Sequence, residues 1–165
     1  VAETPEQLFA KLMPGYDLAK AKRTPEGYPY VEETTEFEPG TFGQRSEGRP
    51  LVRLSPKADK FALPHELAHV KDLYEGKQYP EYDEAKMTNL YQTYGLSPDE
   101  ASGLAYGMAP HEVAARQRSG DPGKIFQDLL ARVEALRARR LGGTLKPKPT
   151  PAAAGGGIAG ARYAQ

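Results

Sequence analysis

His65, Glu66 and His69 are the residues of this 165-residue chain whose types and spacing point most directly to chemistry. They stand in the run His65-Glu66-Leu67-Ala68-His69. On an α-helix, residues four apart lie one turn above the other on a single face, so both imidazoles reach one metal ion. Glu66 follows the first histidine directly, which places its carboxylate beside a water on that ion, ready to take a proton. Two neutral imidazoles to hold Zn²⁺ and a carboxylate base are what a metal-dependent hydrolase needs. The chain has three histidines; two lie inside this run, and the third, His111, precedes a further candidate ligand. A surface helix carrying histidines by chance explains neither placement.

A catalytic zinc site holds three protein ligands and keeps a fourth position for water, so one more ligand is required. There is no cysteine, which leaves nitrogen and oxygen donors. Three residues compete. Glu75 occupies the slot where metzincins place their third ligand, but their geometry needs a glycine three residues after the second histidine, and Asp72 stands there. His111 would complete an all-histidine site. Glu112 is preferred: in Pro110-His111-Glu112-Val113-Ala114-Ala115-Arg116 it sits on an expected downstream helix whose small residues allow close approach to the first. Glu75 and His111 stay open as replacements.

Several elements must position these groups. Thr4-Pro5-Glu6-Gln7 reads as a capped helix start, with Leu8, Phe9 and Leu12 following and Pro14-Gly15 ending it. Residues 16–39 read mostly as loop, with a strand over 30–37. Residues 40–44 and 50–55 are β-type segments joined by a turn-rich stretch, a hairpin whose edge is suited to receive an extended peptide. Pro64 forces the metal helix to begin or kink there; Leu63, Leu67, Val70 and Tyr74 form its apolar stripe, and Gly76 is its left-handed cap. Helices are expected over 82–94, from Ser97 to Gly107, from Pro110 to Gly120, and from Asp121-Pro122 onward. In the last, Ile125, Phe126, Leu129, Leu130, Val133 and Leu136 face the core, and Arg132, Arg137, Arg139 and Arg140 form the solvated side.

The pattern divides the chain into a helix and loop-rich segment (1–39), a catalytic-type unit (40–142) and a Pro/Gly/Ala-rich linker or tail (143–165). The fold class expected is α+β, a small sheet or hairpin packed on the metal helix with a helical C-terminal half. Twenty-two basic and twenty-two acidic side chains cancel, so charge indicates neither nucleic acid nor an anionic membrane as principal partner. No apolar stretch is long enough to span a bilayer, and residues 1–5 lack signal-peptide character, so a soluble molecule is expected. The chain opens on Val1, which suggests a processed product or a segment of a longer polypeptide.

With HExxH at 65–69 and Glu112-x-x-Ala115 downstream, the chain resembles a gluzincin, a zinc metallopeptidase with a glutamate ligand on a later helix. The strand at 51–54 leading to the HExxH helix resembles the minimal zincin core. The likeness covers about residues 40–118, and extends to compact zincin-like domains within large polyvalent proteins of phages and mobile elements. What it implies is a zinc endopeptidase: His65, His69 and Glu112 hold Zn²⁺, and Glu66 accepts the water's proton and passes it to the leaving amine. Tyr74, Tyr106 and His111 are candidates for stabilising the oxyanion, and Asp72 for orienting an imidazole. The implied partner is a protein or peptide substrate, with other domains of a longer parent chain or a virion assembly as further partners. The competing expectation is an inactive zincin-like structural or interaction module; self-processing of a parent chain is a third.

Overall fold

The computed structural model describes residues 2–38 and 41–142. Gly40, heading the first expected hairpin strand, and the Pro/Gly/Ala-rich stretch over 143–165 lie outside the described residues. Among the described residues the fold is mixed α+β, with a four-stranded sheet, six α-helices and a 3-10 turn at Leu18–Lys20. The strands are β1 (Lys22–Arg23), β2 (Pro29–Thr34), β3 (Gly43–Arg45) and β4 (Leu51–Leu54), in spatial order β1-β2-β4-β3. The helices are α1 (Pro5–Leu12), α2 (Ala62–Glu75), α3 (Glu84–Thr93), α4 (Pro98–Gly107), α5 (Pro110–Ser119) and α6 (Lys124–Arg140). None of these is long and apolar enough to cross a membrane.

The expected hairpin forms: β3 and β4 pair antiparallel, with Gly43 opposite Leu54 and Arg45 opposite Val52. The strand expected over 30–37 is realised as β2, which ends at Thr34 and pairs parallel with β4, Val31 opposite Leu51. Alternation along each strand then sorts the side chains between two faces. Tyr30 and Val52 face α2 and pack with Val70, whereas Val31 and Leu51 face the other way onto Phe9 of α1. The sheet is therefore a layer between α1 and α2. Cross-strand partners share a face, so Gly43 and Arg45 are on the α2 side together with Leu54 and Val52.

Helix α2 begins before Pro64, which occupies its first turn, where a backbone N–H has no helical acceptor in any case. Its leading amides are satisfied from upstream: Asp59 Oδ1 accepts from the N–H of Phe61 at 2.9 Å and of Ala62 at 3.0 Å. Gly76 ends the helix at φ 63°, the left-handed conformation a side chain would disfavour. Capping boxes at Thr4 and Ser97 start α1 and α4 as the sequence implies. Helix α6 starts later than expected, at Lys124, because Asp121 Oδ1 accepts from the Gly123 N–H at 2.9 Å and makes the preceding residues a turn.

A second core joins α3, α4 and α6 through Tyr91, Leu104, Phe126 and Leu129. Part of the arginine face of α6 is engaged with protein: Arg132 pairs with Glu100 of α4, and Arg140 donates to the Thr93 carbonyl at 2.5 Å. Helix α5 spans the gap between this core and α2. Arg116 donates to the Gly107 carbonyl at the end of α4 and lies 4.3 Å above the Phe126 ring centre. Two residues on, Arg118 donates to Asp72 Oδ1 at 2.6 Å and to the Ala68 carbonyl at 3.3 Å. One helix is thereby tied to both halves of the molecule.

Gly107 is part of that corner, since a Cβ there would fall 2.3 Å from Phe126 Cε1. Gly107→Ala is expected to destabilise the fold by about 1–3 kcal/mol through overpacking, read as a lower urea midpoint. An unchanged midpoint would show that the α4–α6 contact is looser than described.

Candidate metal centre

Helices α2 and α5 bring His65, His69 and Glu112 together, 47 residues apart in sequence between the first and the last. His65 Nε2 lies 3.2 Å from His69 Nε2 and 2.7 Å from Glu112 Oε2, and His69 Nε2 lies 3.2 Å from Glu112 Oε1. All three side chains are buried, at 0, 4 and 1 % exposure respectively. A tetrahedral zinc with ligands at about 2.0–2.1 Å holds them about 3.3 Å apart. The two imidazole nitrogens stand within a tenth or two of that value, and the Glu112 carboxylate bridges them, with Oε2 turned to His65 and Oε1 to His69. Two imidazole nitrogens and a carboxylate, each with an atom within 4.8 Å of the others, are a donor set that fits zinc in kind and number.

The local electrostatics suit the same role. Burial holds His69 below the ordinary imidazole range, against the opposing pull of Glu112, so its ring is neutral near pH 7. Burial alone would raise Glu112, but hydrogen bonds from His65 and His69 outweigh it and keep the carboxyl well below the usual range. Tyr106, on α4, adds a third donor: its hydroxyl gives a hydrogen bond to Glu112 Oε1 at 2.8 Å within the buried interior. A charged carboxylate is thus retained where solvent is absent.

Glu66 is 1 % exposed, and neither of its carboxylate oxygens finds a hydrogen-bond partner among the described residues. Burial first, then repulsion by Glu112, pushes its carboxyl well above the usual range, with Arg45 acting the other way. Edge strand β3 passes directly over this carboxylate. A Cβ at Gly43 would stand 3.3 Å from Glu66 Oε1 and 3.4 Å from its Cγ, so a side chain there would press on the carboxylate and make it give by a few tenths of an ångström.

The remaining candidates separate clearly. Glu75 is outside the cluster and lies 3.8 Å from Lys71 on the same helix. His111 is beside the cluster, with Nε2 3.6 Å from Glu112 Oε1, its ring centre 5.8 Å from that of His69 and its side chain about one third exposed. Tyr74 turns away, giving its hydroxyl to the Pro29 carbonyl at 2.5 Å and stacking on Tyr28. Tyr106 is committed to Glu112, which leaves His111 as the one of the three oxyanion candidates that lines the open cleft. Asp72 orients no imidazole here; it accepts from Arg118 and from the Tyr79 hydroxyl at 2.5 Å.

The residues that sequence reasoning passed over are Gly43, Arg45 and Tyr79, along with the partnership of Tyr106 with Glu112. Only strand register and helix crossing place them, although the Gly43 spacing from Val52 and Leu54 within a hairpin was a usable signal. The chain matches no family model, no curated protein and no solved structure. The centre's own geometry therefore carries the functional argument.

Two outcomes are expected from this geometry. Tyr106→Phe, which removes the hydroxyl that donates to Glu112, should weaken zinc binding by about 10–100-fold in a chelator competition. Unchanged affinity would mean that the hydroxyl does not support the ligand. Gly43→Ala should leave zinc content intact while disturbing Glu66; a crystal structure of that variant with the Glu66 carboxylate unmoved would contradict the close approach.

Proposed function

We propose that this chain is a zinc-dependent peptidase with a zincin-like fold of the gluzincin type. The observation that carries the reading is the meeting of His65, His69 and Glu112 at one buried point with the Glu66 carboxylate alongside. His65 and His69 would hold the metal from α2 and Glu112 from α5. Bound there, zinc would supply Lewis-acid polarisation of a carbonyl and acidify a coordinated water.

The other steps belong to the chain's own groups. Glu66 receives the proton of the attacking water on a carboxylate oxygen and later gives it to the departing amine nitrogen. Strand β3 stands at the edge of the sheet beside Glu66, and its outer backbone N–H and C=O groups offer a ladder to an extended peptide. His111 lines the open side, where its imidazole can donate to a developing oxyanion. Tyr106 keeps Glu112 charged and fixed, and burial around Glu66 keeps bulk water from competing for its proton.

The deciding experiment combines metal analysis with peptide cleavage. The purified chain should carry about one zinc per molecule. Glu66→Gln should keep that zinc and lose about 10²–10⁴-fold in cleavage of a mixed peptide substrate, while His65→Ala should lose the metal itself. A folded chain that takes up no zinc, or a Glu66→Gln variant that cleaves as fast as the original, would overturn the proposal.

A further inference from the structure

The centre opens on one side into a cleft of ≈ 320 Å³. His69 forms part of its wall, so whatever fills the cleft is adjacent to the proposed reacting bond. Three further basic side chains line it: Arg45 from edge strand β3, Lys77 just past the end of α2, and His111 from α5. One carboxylate is present, Asp72, and its charge is already taken. Arg118 pairs with it at 2.6 Å and the Tyr79 hydroxyl donates to it at 2.5 Å. His111 lies 3.6 Å from Glu112 Oε1 and the field of Arg45 reaches Glu66, but no ion pair to Arg45 or Lys77 forms among the described residues, so the cleft wall keeps two cations without a direct carboxylate contact.

Arg45 is the more telling of the two. Its place opposite Val52 puts it on the α2 face of the sheet, on the same side as Gly43 and the Glu66 carboxylate beneath it. Its Nε is buried and has no hydrogen-bond partner among the described residues. A buried charged donor left unpaired is uncommon in folded proteins and calls for a partner from outside the chain. The planar guanidinium fork matches a carboxylate in shape and charge, and Lys77 supplies a flexible second cation at the mouth, 5.8 Å from the Tyr79 ring centre.

Resting on the peptidase reading of the neighbouring centre, we propose that this cleft selects substrates by a carboxylate next to the reacting bond, held by Arg45 and Lys77. The carboxylate comes either from an Asp or Glu side chain or from the free C-terminus of the peptide. The chain is then selective for acidic or chain-terminal positions, a property that overall neutral charge conceals.

The test is a binding comparison on the full chain carrying Glu66→Gln, so that turnover does not intervene. Fluorescently labelled peptide mixtures are prepared in four arms: Asp/Glu at one position with an amidated end, Asn/Gln there with an amidated end, and a neutral sequence with either a free or an amidated C-terminus. One carboxylate arm should bind about tenfold or more tightly than its uncharged counterpart, and the arm that does so identifies the source. Adding Arg45→Gln should bring the paired arms to parity, whereas Arg45→Lys, which keeps the charge, should retain part of the preference. Equal binding in all arms, no measurable binding in any, or a preference that survives Arg45→Gln would overturn the inference. Zinc content is measured on the same samples: a metal-free protein that still discriminates would sink the peptidase reading and leave the carboxylate pocket standing.

Discussion

A carboxylate buried between two imidazoles is the interaction on which the rest of this structure depends. Removing Glu112 from water is costly unless its charge is met, and His65, His69 and Tyr106 meet it from two different helices. That requirement sets how closely α5 must approach α2. Ala68 and Ala115, both buried, keep the packed faces of those helices slim, and Arg116 and Arg118 fasten α5 at either side of its crossing. The clamps matter because buried polar groups reward good geometry and punish poor geometry.

The second constraint is strand register. A slip of one residue between β3 and β4 would carry Gly43 and Arg45 to the α1 side and put Gln44 over Glu66. The hydrophobic sorting of β2 and β4 prevents this: Tyr30 and Val52 belong against Val70, and Val31 and Leu51 belong against Phe9. An ordinary two-faced sheet core thus determines which polar groups edge strand β3 presents to the centre. Packing and chemistry share the same alternation.

Much of this was legible before any coordinates. The capping boxes at Thr4 and Ser97, the glycines at 76 and 120 and the prolines at 98 and 110 mark helix ends through local chemistry, and local chemistry is what a sequence displays. The pairing of His65 with His69 follows from helical period alone, and Glu112 could be nominated by its setting. Long-range contacts were not legible. Asp72 looked like a neighbour of the imidazoles, yet it serves Arg118, because the crossing of α5 over α2 is decided by many residues acting together. The parallel alliance of β2 with β4 escaped for the same reason: the strands are joined through a long connection, and nothing in either states its partner. The late start of α6 turned on one side chain bonding to a backbone amide two residues ahead.

The distance along the chain between His65 and Glu112 carries a last implication. Helix α2 holds the histidines and Glu66, but it lacks its opposing carboxylate until α3 and α4 have been laid down and α5 has docked. Closing so large a loop costs entropy that only the surrounding core can repay. The three-residue cluster is consequently a property of the finished tertiary structure: a nascent or partly opened chain carries the motif but not the assembled site.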